Sequence, residues 1–187
     1  FYPKLELPNV AFRNRGNGTF EDASTRWRFG TEPDISHGLA AGDLDGDGDL
    51  DVVVNRLNAP VAVLRNDARA PRISVRLRGK APNSAAIGAR IRVTGGALPP
   101  QSREVTAGGL YLSGSDQEYA FAAPADSAVR VEIRWRSGAV SNIPEARSGR
   151  LYEIDESGAV VAPPLADIPP AGVRMARPPI PLAALAS

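Results

Sequence analysis

Asp43-Leu44-Asp45-Gly46-Asp47-Gly48-Asp49-Leu50-Asp51, running on into Val52-Val53-Val54-Asn55, is the stretch on which the reading of this chain turns. Aspartate at every second position puts the first, third and fifth carboxylates of a tight turn on one side. A short loop can in this way supply the roughly 6–8 oxygens a hard divalent cation takes. Gly46 and Gly48 allow the backbone conformations such a turn demands. On this spacing Asp43, Asp45, Asp47 and Asp51 ligate by side chain, Asp49 ligates through its carbonyl, and Leu50 points into the core. The helix–loop–helix version needs a Glu at the twelfth position, where this chain has Val54. The residues that follow are β-branched instead, so the loop joins two strands, 38–42 entering and 50–55 leaving. The alternative is an acidic, solvated turn with no ion. Calcium is expected over magnesium, because an all-protein oxygen cage suits the larger ion, and its role is expected to be structural.

Downstream the pattern alternates with period two. Arg72-Ile73-Ser74-Val75-Arg76-Leu77-Arg78, Ala89-Arg90-Ile91-Arg92-Val93-Thr94 and Val129-Arg130-Val131-Glu132-Ile133-Arg134-Trp135 each set aliphatics against Arg or Glu. Such segments are strands with one buried and one wet face. Ser137-Gly138 reads as a hairpin turn into 139–143, and further strands are expected at 103–106, 118–122 and 150–154. Sustained helical periodicity is missing, and the class is all-β. Three zones follow. Residues 1–69 hold glycine- and aspartate-rich loops between short strands, 70–157 carry the regular alternation, and 158–187 are an extended proline-rich tail. The tail holds seven of the 17 prolines, which excludes helix and central strand. Its apolar residues (Leu165, Ile168, Val173, Ile180, Leu182, Leu185) exceed what a linker needs, which favours a docked tail. Phe12-Arg13-Asn14 recurs as Leu64-Arg65-Asn66, a spacing of blade size.

Composition narrows the function. The chain has 187 residues and no cysteine, which removes disulfides, cysteine-based metal sites and cysteine nucleophiles. A single histidine, His37, removes multi-imidazole chemistry. No apolar run approaches the roughly 20 residues of a membrane span. Outside the acidic loop 22 basic residues face 16 acidic ones, but 20 of the 22 are arginines scattered along strands. That reads as solvated sheet faces, not as a nucleic-acid surface. The only methionine is Met175, so the chain reads as processed or partial.

Phe12-Arg13-Asn14-Arg15-Gly16-Asn17-Gly18-Thr19-Phe20-Glu21-Asp22, then His37-Gly38-Leu39-Ala40-Ala41-Gly42-Asp43 and the acidic loop, resemble an FG-GAP (VCBS-type) blade. Ile87-Gly88-Ala89-Arg90-Ile91-Arg92-Val93, Arg103-Glu104-Val105, residues 107–116 and Val131-Glu132-Ile133-Arg134-Trp135-Arg136-Ser137-Gly138 resemble the ASPIC/UnbV domain that follows such blades in cartilage-acidic-protein-like secreted proteins. The resemblance implies a partial propeller-type blade with the calcium loop over 1–69 and a β-sandwich-like domain over 70–157, in a secreted, calcium-binding protein of adhesive or matrix type with no established catalytic residues. Such proteins carry several blades, whereas this chain has one, so the chain is a slice of a longer protein or is completed by neighbouring copies.

His37 lacks a nucleophile–base partner in the sequence and is expected to pack or turn. Tyr111, Ser113, Ser115 and Asp116 lie in a glycine-rich loop that reads as a tight turn. The alternative reading makes Tyr111, Ser113 and Asp116 the contacts of a sugar or partner protein. Trp135 shares the inward parity of Val131 and Ile133, and neither Trp27 nor Trp135 reads as a sugar platform. The expectation is a non-catalytic, extracellular, calcium-binding structural module for self-assembly or adhesion. The alternative is a carbohydrate- or protein-binding accessory module of a larger secreted protein.

Overall fold

The computed structural model describes residues 5–30 and 33–166, and every regular element among them is a strand. The N-terminal unit begins with a hairpin of β1 (Phe12–Asn14) and β2 (Phe20–Asp22). A three-stranded antiparallel sheet follows, β3 (Ser36–Gly42), β4 (Asp51–Arg56) and β5 (Ala62–Leu64), in that order. The acidic stretch is the turn between β3 and β4, with Gly42 paired to Asp51 across its mouth. Asn14 and Asn66 close similar turns after β1 and β5: their Oδ1 atoms accept the N–H groups of Gly16 at 2.8 Å and Ala68 at 3.1 Å. The two copies share the asparagine's local hydrogen bond, but only Leu64 of the second copy lies in a strand.

The alternating segments build the second unit. It comprises β6 (Arg72–Arg78), β7 (Arg90–Gly95), β8 (Leu98–Glu104), β9 (Glu118–Ala122), β10 (Val129–Arg134), β11 (Val140–Ala146), β12 (Arg150–Asp155) and β13 (Val160–Val161). These form two open four-stranded sheets, ordered β11-β10-β7-β8 and β13-β12-β6-β9. Ile91, Val93, Val131 and Ile133 of the first sheet share one buried core with Ile73, Val75, Phe121, Tyr152 and Ile154 of the second. Trp135 is buried in the same core, as its parity predicts. Each such side chain contributes about 1.5–3 kcal/mol on burial, so this unit holds most of the apolar stabilisation. The Ser137-Gly138 turn is present: Trp135 N–H bonds the Ala139 carbonyl at 2.9 Å, and Gly138 takes φ +91°.

Three features depart from the alternation reading. β8 starts at Leu98 and runs through Pro99 and Pro100, earlier than the expected 103–106. Proline is tolerated there because β8 is an edge strand. β6 and β12 pair in parallel, Ile73 with Arg150 through Arg78 with Asp155, inside otherwise antiparallel sheets. Finally, β6 lacks a wholly wet face. Arg72 and Ser74 are buried along with Ile73 and Val75, because the acidic loop lies on them.

β13 adds as an edge strand beside β12, and the chain then returns over the acidic loop. Leu165 N–H bonds the Gly149 carbonyl at 2.9 Å, and Ala166 N–H bonds the Gly46 carbonyl at 2.8 Å. The beginning of the expected tail is thus docked; Ile168, Val173, Ile180, Leu182 and Leu185 lie outside the described residues. Burial sets the scale of a stability test. Ile133→Ala in the core should cost about 2–5 kcal/mol in urea unfolding, whereas Val140→Ala, 53% exposed, should change stability by less than about 0.5 kcal/mol.

Candidate metal centre

The turn between β3 and β4 is shaped by its own carboxylates. Asp43 accepts the N–H of Gly46 on Oδ1 at 2.7 Å and the N–H of Gly48 on Oδ2 at 2.8 Å. Both glycines take left-handed φ, +82° and +84°, a region in which a Cβ is strained. A Cβ on Gly48 would also run into the Leu165 side chain. Asp51, 1% exposed, accepts Leu44 N–H on Oδ2 at 3.0 Å and Asn66 N–H on Oδ1 at 2.8 Å. Leu50 is half-buried beside it. One carboxylate oxygen each from Asp43, Asp45 and Asp51 lies within 4.8 Å of the others.

That spacing suits one ion, since oxygens bound about 2.4 Å from a common calcium lie at most about 4.8 Å apart. Asp45 Oδ1, Asp47 Oδ2 and Asp49 Oδ1 are buried without a hydrogen-bond partner, and Asp49 Oδ2 meets the Arg72 guanidinium as an ion pair only; native structures rarely leave such oxygens uncompensated. The donors are hard carboxylates throughout, so the set fits calcium. Of the five aspartates the loop pattern singles out, Asp43, Asp45 and Asp51 converge. Asp47 and Asp49 turn towards the sandwich.

There they meet Arg72, whose Nη1 stands 2.7 Å from Asp49 Oδ2 and 3.5 Å from Asp47 Oδ1. Its other donors are used as well: Nε bonds the Ala70 carbonyl at 3.1 Å and Nη2 the Ala68 carbonyl. Burial pushes the Asp49 carboxyl up to about 6, against the pull of Arg72. Burial likewise raises the Asp47 carboxyl, the Asp49 N–H opposing it and the charges of Asp45 and Asp43 adding to it. Ser74, fully buried, donates its hydroxyl to the Gly48 carbonyl at 3.1 Å.

Next along the same sheet face, Glu118 is buried and pairs through Oε2 with Arg76 at 2.6 Å, while Oε1 has no hydrogen-bond partner. Burial raises its carboxyl above the ordinary value, more than Ser74 and Arg76 lower it. Arg72, Ser74 and Glu118 were not singled out by the sequence reading, because their alternation is that of any solvated strand face. The five aspartates that must be balanced nearby are the one signal in the sequence that could have found Arg72.

The glycine-rich loop takes a different place from a free ligand loop. Asp116 N–H bonds the Ala41 carbonyl at 2.8 Å, and Ala41 N–H bonds Ser115 Oγ at 3.0 Å. Ser113 Oγ donates to the Leu39 carbonyl. Gly42 permits this approach, since a Cβ there would stand 3.3 Å from Asp116 Cβ. Ser113, Ser115 and Asp116 therefore cover the outer edge of β3. Tyr111 stands clear, 71% exposed at the loop tip. His37 is exposed at the register shift of β3.

Comparison with known families finds two matches in this order along the chain. The FG-GAP-like repeat model matches residues 7–54, and the ASPIC and UnbV model matches residues 79–161. No curated protein matches the chain. FG-GAP-like repeats bind calcium in general and are usually extracellular, and both families are typical of extracellular or adhesion-type modules. No helix among the described residues is long and apolar enough to cross a membrane.

Glu118 gives a pH test. A carboxyl raised in the fold contributes stability that is fully present below its unfolded value, near 4.5, and is lost as pH rises through the folded value. In chelator, Glu118→Gln should therefore lose less stability than wild type as pH rises above about 4.5. Identical pH slopes in urea unfolding would show that the carboxyl is not perturbed.

Proposed function

Taking the chain as an FG-GAP-like repeat followed by an ASPIC/UnbV domain, we propose that it is a non-catalytic extracellular module. In this reading calcium stiffens it, and it associates through its blade with a second copy or another extracellular protein. The observation that carries the reading is the convergence of Asp43, Asp45 and Asp51 within 4.8 Å, with Asp45 Oδ1 buried and without a hydrogen-bond partner. A cation there neutralises charge at the root of β3 and β4 and stiffens the turn between them. It leaves the function to the surface the blade presents.

That surface is apolar. Val10, Phe12, Phe20, Val61 and Val63 are each more than half exposed, and no strand among the described residues pairs with the outer edge of β5. Val61 and Val63 lie at that free edge and Val10, Phe12 and Phe20 at the separate β1–β2 hairpin; a free edge and exposed apolar side chains each mark an association site. The chain's single histidine and lack of cysteine support a non-catalytic role. A second reading rests on the glycine-rich loop. Tyr111 and Leu112 project from its tip, 71% and 80% exposed, while its serines hold β3. That tip suits a sugar or protein ligand, and saturable glycan binding lost in Tyr111→Ala would favour it.

Light scattering on a sizing column, with millimolar calcium and then with chelator, tests association. The expected result is a calcium-dependent mass above the 19.7 kDa of one chain; a monomer in both conditions, even at high concentration, sinks the association. Melting curves test the ion. Calcium at ten times its dissociation constant should add about 1.4 kcal/mol, a shift of about 3–5 °C for a chain of this size. Asp45→Asn should remove the shift. Superimposed curves with calcium and chelator would mean that no structural cation binds.

A further inference from the structure

The side of the acidic turn that faces away from Asp45 is the seat of the blade on the sandwich. Four successive residues make bonds across it. Gly46 offers its carbonyl to Ala166 N–H at 2.8 Å. Asp47 lies 3.5 Å and Asp49 2.7 Å from the Arg72 guanidinium. Gly48 offers its carbonyl to Ser74 Oγ at 3.1 Å and packs its Cα against Leu165. The N–H groups of Gly46 and Gly48 meanwhile bond Asp43, one of the three converging carboxylates. One short turn thus presents carboxylates to a cation on one side and is held to the second domain on the other.

We propose that Arg72 is a positioning residue that couples cation binding to the docking of the blade on the sandwich, so that each strengthens the other. The proposal rests on the reading that the loop takes a divalent cation. Without the ion, Asp43, Asp45 and Asp51 repel one another. The turn then opens, and the Gly46 and Gly48 carbonyls move from their partners. Without Arg72, Asp47 and Asp49 are buried carboxylates with no counter-charge. They must turn to water, and the backbone that sets Asp43 moves with them. Linkage makes the effect reciprocal. The guanidinium fork is specific to the task, since Arg72 serves two backbone carbonyls and two carboxylates at once. An ammonium with a single head cannot reproduce that geometry.

Hydrogen exchange of the full chain, with calcium and with chelator, tests the coupling in wild type, Arg72→Gln and Arg78→Gln. Arg78 ends the same strand and contacts Glu153 rather than the loop. In wild type, calcium should slow exchange in the 44–51 turn. It should also slow exchange about tenfold in β6, β9 and at Leu165 and Ala166. In Arg72→Gln the turn should still be protected by calcium, while β6, β9 and the returning segment exchange as they do in chelator. Arg78→Gln should match wild type. Protection confined to the turn in wild type, or full protection of β6 and β9 in Arg72→Gln, overturns the coupling while leaving the cation site standing. Calcium that protects nothing, the turn included, overturns the cation site and the coupling with it. Should Arg72→Gln fail to fold, Arg72→Lys keeps the charge without the fork: loss of the β6 and β9 protection supports the proposal, and full retention overturns it.

Discussion

Five carboxylates within nine residues cannot share a turn unless something answers their charge. A pair of like charges about 5 Å apart, partly shielded from water, repels by about 3 kcal/mol. Backbone N–H groups of Leu44, Gly46, Gly48 and Asn66 answer part of it from within the blade. The strongest fixed answer is a guanidinium from outside the blade, at the start of β6. The chain's most acidic segment is therefore tied to the first strand of its second domain, and much of the remaining architecture is arranged around that tie.

The two units contribute unequally. The sandwich buries a contiguous aliphatic core between two sheets, whereas the blade hairpin and three-stranded sheet leave Phe12, Phe20 and Val63 at the surface. A thin sheet of that kind is marginal alone, and it borrows support in three places. The acidic turn rests on β6, the Ser113 to Asp116 segment covers β3, and the chain after β13 passes over Gly46 and Gly48. All three supports meet the same end of the blade, the end that holds the carboxylates.

Much of this was legible in the sequence because it depends on local order. Alternation placed β6, β7, β10 and β12, Ser137-Gly138 placed a hairpin, and the aspartate spacing placed a strand–loop–strand turn. What stayed hidden depends on which surface lies on which. Arg72-Ile73-Ser74-Val75 alternates like a strand with one wet face, yet both faces are buried, because a loop some 25 residues earlier lies upon it. Spacing reads Asp47 as a side-chain ligand and Asp49 as a carbonyl ligand, and it gives no sign of the guanidinium that stands beside both side chains. Ser113 and Asp116 read as a turn or a sugar contact; their use against β3 needs a partner 74 residues away, a separation at which spacing carries no information. The strand expected at 103–106 starts earlier, at Leu98, and runs through Pro99 and Pro100, which its edge position tolerates.

Covering β3 has a consequence for stoichiometry. The blade's three-stranded sheet has two edges, and among the described residues one is occupied from within the chain and the other is free, so its valence for strand addition there is one. Two identical copies meeting through β5 would pair about a twofold axis and use up both free edges. Growth through that sheet ends at two. A longer array of this chain has to propagate through other surfaces, such as the outer edges of the β1–β2 hairpin or of the two open sandwich sheets.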